Sequence, residues 1–130
     1  MKNILITEDN AVNRELLREL LEARGHSVDE ACNGQEALQK LAKSRPDLLL
    51  LDLSMPVLDG FATLARIRQD PTLARLPVLA VTAFAMRGDQ EKVMDAGFDG
   101  YLSKPISSAA LDTELERVWN KAASAKAAKR

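Results

Sequence analysis

The chain alternates short apolar runs with amphipathic stretches of helical period, and it does so five times. Residues 48–51 and 78–81 are almost continuously apolar, as expected of strands that are covered on both faces of a sheet. A helix after each strand carries the chain back to start the next strand in the same direction, so this order predicts a parallel sheet with helices on both faces. The predicted strands are residues 4–7, 27–31, 48–51, 78–81 and 100–102.

The helical stretches carry their own start and stop signals. Asn10 can cap a first helix and Gly25 can end it, and Ser107 can cap the last one. Between them, helices are predicted at residues 34–44, 59–69 and 87–96, and the last helix is predicted at residues 107–120. The first helix is predicted to bury an apolar face formed by Val12, Leu16, Leu17, Leu20 and Leu21.

Length and charge exclude several classes of protein. A chain of 130 residues suits one domain with one ordinary core. The net charge of −1 and the pI of about 5.9 give no overall attraction to nucleic acid or to an anionic membrane. Cys32 is the only cysteine, so no disulfide can form within the chain. The apolar run before Glu8 is too short for a signal peptide, and no run is long enough to span a membrane, so a cytoplasmic protein is expected.

The end of the chain, from residue 120 to residue 130, is rich in alanine and lysine. Basic residues suit the negative end of a helix dipole, so this segment is interpreted as a continuation of the last helix. A nucleic-acid-binding tail is the alternative. It is less favoured because short groups of basic residues are common in proteins that bind no nucleic acid.

Polar side chains lie at or just beyond the ends of four predicted strands: Glu8 and Asp9, Asp52, Thr82 and Lys104. Ligands of open α/β sheets bind outside the carboxyl ends of the strands, where the strand order reverses. If the first and third strands are neighbours there, three carboxylates converge. Such a cluster of like charges needs a cation, and its oxygen ligands suit Mg²⁺.

Lys104 and Thr82 would add an ammonium group and a hydroxyl donor to the same edge of the sheet. Together with the carboxylates they predict a pocket for a phosphoryl group, whose transfer depends mainly on positioning and charge neutralisation. Each residue also has a plain structural interpretation: Asp9 as a turn residue, Thr82 as a strand residue, Lys104 as a loop lysine. Asp52 is harder to explain in this way, because it ends a buried strand, where a carboxylate without a partner is costly.

Several motifs carry a family resemblance. They are EDN at residues 8–10, LDLSMP at residues 51–56 followed by DG at residues 59–60, VTA at residues 81–83, and YLSKP at residues 101–105. Over residues 2–118 the chain resembles the receiver domain of bacterial two-component response regulators. Residues 80–89 are also similar to single-domain regulators of the cell-cycle type and to receivers of hybrid kinases.

The resemblance implies a flavodoxin-like (βα)5 fold, a doubly wound five-stranded parallel sheet with strand order 2-1-3-4-5. It places the receiver domain at residues 1–120, followed by an Ala/Lys-rich tail at residues 121–130 that extends the last helix. Met1 directly before the first strand and the short tail favour a free-standing protein, although a receiver cut from a longer chain would look the same.

The resemblance also implies a set of magnesium ligands. Asp52 is the expected phosphoacceptor, and Asp9 and Asp52 are expected to bind Mg²⁺ directly. Glu8 is expected to act through a water molecule, and the backbone carbonyl of Ser54 to complete the set.

The remaining roles concern the phosphoryl group and the response to it. Thr82 and Lys104 are expected to hold the phosphoryl oxygens, and Tyr101 is the aromatic residue that turns inward when Thr82 moves. The implied protein is a signalling switch rather than an ordinary enzyme, although it catalyses its own phosphorylation and dephosphorylation. A histidine kinase or phosphotransfer protein would supply the phosphoryl group. The surface formed by helix 4, strand 5 and helix 5 would then control a protein partner, with no direct binding of nucleic acid or membrane.

Two other functions share parts of this pattern. A phosphatase of the haloacid-dehalogenase type also uses a strand-end aspartate and Mg²⁺, but it needs a second aspartate two residues later, where this chain has Ser54. A receiver-like binding module that is not phosphorylated would normally lack Asp52, the acidic pair or Lys104, and all are present here.

Overall fold

The computed structural model describes residues 2–53, 59–83, 87–104 and 106–128. Its strands form one parallel sheet in the order β2-β1-β3-β4-β5, which confirms the expected fold class and strand order. The strands are β1 (Asn3–Thr7), β2 (Ser27–Ala31), β3 (Leu48–Asp52), β4 (Val78–Thr82) and β5 (Gly100–Ser103).

The helices follow the strands in turn: α1 (Ala11–Glu22), α2 (Gly34–Lys43), α3 (Gly60–Gln69), α4 (Arg87–Ala96) and α5 (Ser108–Ala128). The predicted caps are present, since Asn10 Oδ1 accepts the Asn13 N–H at 3.0 Å and Ser107 Oγ accepts the Ala110 N–H at 3.1 Å. Gly25, at φ 84°, takes the left-handed conformation that turns the chain from α1 into β2.

Successive side chains of the strands point to opposite faces of the sheet and divide the core in two. Leu5, Leu49 and Leu51 pack on one face with residues of α2, α3 and α4. Ile4, Ile6 and Leu50 pack on the other face with residues of α1 and α5. Because β3 is buried along its whole length, the residue at its carboxyl end, Asp52, is buried as well.

The prediction for the apolar face of α1 is only partly right. Leu17 and Leu21 are buried and Leu20 packs against them, but Val12 and Leu16 are 74% and 45% exposed. At ~100° per residue the five apolar side chains cover an arc of roughly 180°. The sheet covers the side of the helix that carries Leu17 and Leu21, and Val12 and Leu16, toward the other end of this arc, stay exposed. Among the residues that the structure describes, no helix is long and apolar enough to cross a membrane.

Leu21 and Leu16 offer a matched test of this packing, because both are leucines of α1. Leu21→Ala should lower the free energy of unfolding by about 2 to 5 kcal/mol, since it leaves a cavity in the core. Leu16→Ala, at an exposed position, should change the free energy of unfolding by no more than about 0.5 kcal/mol. Urea denaturation measures both values. Similar losses in the two variants would contradict the packing of α1 described above.

Candidate functional site

The parallel pairing of β1 with β3 brings the acidic residues together. Thr7 lies opposite Leu51 in this pair, so Glu8 and Asp9 continue from β1 beside Asp52 at the end of β3. One carboxylate oxygen from each of these three residues lies within 4.8 Å of the other two. The predicted convergence of the three carboxylates at this edge of the sheet is therefore confirmed.

Burial of two of these carboxylates costs free energy unless their charges are balanced. Glu8 and Asp52 are only 1% and 2% exposed, whereas Asp9 is exposed. Lys104 reaches both buried groups: its Nζ lies 3.0 Å from Glu8 Oε2 and 3.2 Å from Asp52 Oδ2. The contact with Glu8 is an ion pair without hydrogen-bond geometry, and Glu8 Oε2 has no hydrogen-bond partner among the described residues. The site thus contains a buried carboxylate oxygen that is still able to accept a ligand.

The pKa values of Glu8 and Lys104 are both raised above their ordinary values in this cluster. Burial raises the pKa of Glu8, the contact with Lys104 opposes the rise, and the nearby charge of Asp52 adds to it. Burial lowers the pKa of Lys104, but its contacts with Glu8 and Asp52 outweigh burial and raise it overall. Lys104 therefore stays protonated near neutral pH and balances only part of the negative charge.

Backbone contacts hold Glu8 in place. Its Oε1 accepts the Asn10 N–H at 3.2 Å, and its own N–H donates to the Ala31 carbonyl at 3.1 Å. Arg14 Nη1 donates to the Glu8 carbonyl at 2.8 Å, a role that the sequence analysis did not identify. One helical turn separates Arg14 from the cap residue Asn10, but an arginine at that position carries no sequence signal that points to the site.

Thr82 and Tyr101 lie on β4 and β5, and Lys104 directly follows β5. Thr82 is 2% exposed at the end of β4, and the Lys104 N–H donates to the Thr82 carbonyl at 2.8 Å, so the two residues share one edge of the sheet. Tyr101 lies on β5, opposite Ala80, and is half-buried against the core. Ser54, the predicted carbonyl ligand, lies outside the described residues.

A small cavity of about 50 Å³ opens beside Glu8 and Lys104; it is lined by Glu8, Asn13, Leu16, Leu17, Lys104 and Ile106. Organic ligands of ordinary size need pockets of about 300 to 1,000 Å³, so this opening suits a small group better. A larger cavity of about 340 Å³ lies at the amino ends of β1 and β2. It contains none of the predicted site residues, and its size alone does not make it the functional site.

The residues of the cluster fit a magnesium ion. The three carboxylates supply oxygen ligands, which Mg²⁺ prefers, and Glu8 Oε2 has no hydrogen-bond partner among the described residues. With all groups ionised, three negative charges and the one positive charge of Lys104 leave a net charge of −2. A divalent cation would balance that charge, and Glu8, Asp9 and Asp52 are the described residues that could hold it.

The model of the response regulator receiver domain matches residues 4–116. The chain therefore belongs to the receiver domain family of two-component signalling, whose members are signalling switches that bind Mg²⁺ in an acidic pocket.

Individual relatives agree with this assignment. The polar-differentiation response regulator DivK of Brucella anthropi is 43% identical over 106 residues, which cover 82% of this chain and 86% of the relative. The receiver domain of a sensor histidine kinase from Pseudomonas aeruginosa superposes with a TM-score of 0.83 at 36% identity, over 90% of this chain and 96% of that chain, and its structure has a magnesium ion coordinated in the active site cleft. The chemotaxis response regulator CheY4 of Vibrio cholerae superposes with a TM-score of 0.85 at 30% identity, over 91% of this chain and 98% of that chain.

Removal of one carboxylate tests the metal site. Asp9→Ala should weaken Mg²⁺ binding by about tenfold or more, since even the loss of a group that only supports a metal ligand typically costs 10- to 100-fold. Isothermal titration calorimetry measures the affinity. Glu15→Ala is a matched control, because it removes an exposed carboxylate of α1 and changes the net charge equally. Equal Mg²⁺ affinity of the Asp9→Ala variant and the wild type would mean that this cluster is not the metal site.

Proposed function

We propose that this chain is a phosphoacceptor switch that accepts one phosphoryl group on Asp52 in the presence of Mg²⁺. The observation that supports this most strongly is the position of the Asp52 carboxylate. It is buried at the end of β3, 3.2 Å from the Lys104 ammonium and within 4.8 Å of two further carboxylates. An isolated carboxylate would be costly there, but a carboxylate that attacks phosphorus needs this arrangement of cations and oxygen ligands around it.

In the proposed reaction an Asp52 oxygen attacks the phosphorus of the donor, and the bond from phosphorus to the donor breaks. Bound Mg²⁺ would neutralise charge on the phosphoryl oxygens. Lys104 already contacts the Asp52 carboxylate, so its ammonium group is close enough to form an ion pair with an oxygen of the new phosphoryl group. Thr82 would hold a second phosphoryl oxygen through its hydroxyl, while Asp9, Glu8 through water and the Ser54 carbonyl complete the magnesium ligands.

The source of the phosphoryl group is proposed to be a histidine kinase or a phosphotransfer protein. Leu16 lines the small opening beside Glu8 and Lys104, and it is 45% exposed. Val12, one turn earlier on α1, is 74% exposed. These exposed apolar side chains of α1, one of which lines the opening, support a protein donor, because a small polar donor would gain nothing from them.

The switch is proposed to reset itself by hydrolysis, in which water attacks the phosphoryl group and Asp52 is regenerated. The receiver domain is proposed to comprise residues 1–120, and residues 121–130 are proposed to be an Ala/Lys-rich tail that continues the last helix beyond that domain. Membership of the receiver family supports this function over the phosphatase considered from the sequence.

The central test uses a small phosphodonor, so that no partner protein is needed. Incubation with acetyl phosphate and Mg²⁺ should add one phosphoryl group, visible by intact-mass spectrometry. Asp52→Asn should abolish this addition, because an amide is not a nucleophile. Asp95→Asn, which changes an exposed aspartate of α4, should be labelled like the wild type. Full labelling of the Asp52→Asn variant would rule out Asp52 as the acceptor.

The output surface is proposed to be the face formed by α4, β5 and α5. A phosphoryl group adds roughly 1.5 to 2 negative charges near Thr82 and Lys104. Movement of Thr82 toward that charge would leave room for Tyr101, which is half-buried on the neighbouring strand. The phosphoryl group needs only to bias two pre-existing conformations. Because this chain has a net charge of −1 and is not basic, its partner is proposed to be a protein rather than a nucleic acid.

Amide chemical shifts of the phosphorylated and unphosphorylated protein test this surface. Phosphorylation should shift amide signals at Tyr101 and along α4 and α5, as well as those around Asp52. The Asp52→Asn variant, treated in the same way, provides the baseline without a phosphoryl group. Shift changes confined to the surroundings of Asp52 would contradict the proposed output surface.

A further inference from the structure

The strand β5 lies at one end of the sheet order, so one of its edges has no neighbouring strand among the described elements. Backbone N–H and C=O groups along such an edge still need hydrogen-bond partners, and natural proteins usually cover or charge an edge of this kind. In this chain the covering groups are side chains of α5, which packs on the sheet beside β5.

Two residues of α5, Glu114 and Arg117, form what we call the Glu114–Arg117 clamp. Glu114 Oε2 accepts the Tyr101 N–H at 3.3 Å, and Arg117 Nη2 donates to the Asp99 carbonyl at 2.7 Å. The two side chains also pair with each other through Arg117 Nη2 and Glu114 Oε2 at 3.0 Å and through Arg117 Nε and Glu114 Oε1 at 3.1 Å. The clamp therefore binds the backbone on both sides of Gly100, at Asp99 just before β5 and at Tyr101 within it.

Gly100 shows how closely the clamp approaches the strand. Gly100 is buried, and a Cβ atom built at this position would overlap both Arg117 Nη2 and Glu114 Oε2. The same atom would lie 2.9 Å from Leu79 Cδ2 in β4, so a side chain at this position would force these three neighbouring side chains to shift. The clamp can bind the backbone because the residue between its two contacts has no side chain.

The clamp is also rigidly connected to the rest of α5. Leu115 and Val118, which neighbour the two clamp residues in sequence, are 4% and 2% exposed in the core against the sheet. Hydrogen bonds to backbone atoms depend on distance and angle, so the clamp adds a directional link between the strand and α5 to the apolar packing.

We propose that Glu114 and Arg117 are positioning residues that couple the backbone of Tyr101 to α5. This inference rests on the proposed function, because it takes Tyr101 as the residue that responds to phosphorylation of Asp52. In this proposal the inward turn of the Tyr101 side chain also shifts the Tyr101 backbone, whose N–H donates to Glu114. The clamp passes this displacement to α5, and the surface of α5 then changes for the partner.

The test compares amide shifts with and without the phosphoryl group in a set of α5 variants. Glu114→Ala removes the acceptor of the Tyr101 N–H. This variant should accept one phosphoryl group from acetyl phosphate and keep the shift change at Tyr101, while the changes at residues 111–120 are lost. Glu114→Gln keeps a carbonyl oxygen that can accept the same N–H, so it should restore them. Glu116→Ala, which removes an exposed carboxylate of the same helix, should respond like the wild type.

Gly100→Ala provides a second, independent variant, because it displaces the clamp while both charged residues remain. It should also accept the phosphoryl group and lose the shift changes at residues 111–120. If this variant does not fold, the Glu114 series decides the question, because the Glu114 side chain is 20% exposed and lies outside the apolar core. A full response of α5 in labelled Glu114→Ala protein would overturn the proposal, and so would a failure of Glu114→Gln to restore it.

Failure of the proposed function would look different. A wild-type protein that gains no phosphoryl group would refute the phosphoacceptor role itself. A labelled wild type without shift changes along α5 would refute the output surface and the clamp with it. The clamp proposal alone would be refuted by one result: the phosphorylated wild type and the phosphorylated Glu114→Ala variant show equal shift changes along α5.

Discussion

Like charges meet where β1 and β3 end, and the rest of the site exists to balance them. Glu8 and Asp52 are buried, and Asp9 completes a cluster whose carboxylate oxygens lie within 4.8 Å of one another. One ammonium, that of Lys104, reaches both buried groups but cannot neutralise three carboxylates. The convergence of β1 and β3 creates this unbalanced charge, and the proposed divalent cation and the proposed phosphoryl chemistry follow from it.

The doubly wound sheet makes such a site possible at low cost to the core. The apolar residues of β3 pack alternately on both faces, so the strand is stable without any contribution from Asp52 at its end. The charged groups lie beyond the last apolar layer, at the edge where the loops begin. The fold can therefore keep an electrostatically strained cluster because its stability comes from elsewhere.

The helices α1 and α5 each carry one set of residues that packs on the sheet and another set that stays free of the core. In α1, Leu17 and Leu21 hold the helix on the sheet, while Leu16 remains exposed beside the opening to the carboxylates. In α5, Leu115 and Val118 hold the helix on the same face of the sheet, while Glu114 and Arg117 reach around to the free edge of β5. In the proposed function, α1 receives the phosphoryl donor beside the site and α5 responds at a distance from it.

The sequence by itself determined the alternation of strands and helices, their caps and the polar residues at the strand ends, because these depend on neighbours only a few residues apart. The strand order came from the family resemblance, since periodicity does not specify which strands pair. The polar residues at the strand ends predicted that Lys104 and Asp52 share one edge of the sheet, but only the tertiary structure showed their direct contact at 3.2 Å. It alone decided that Val12 and Leu16 stay exposed and that Arg14 holds the Glu8 carbonyl. It also decided that Gly100 leaves room for the clamp. These contacts depend on how helices pack against a twisted sheet, and a local sequence pattern contains no information about distances between residues that are far apart in the chain.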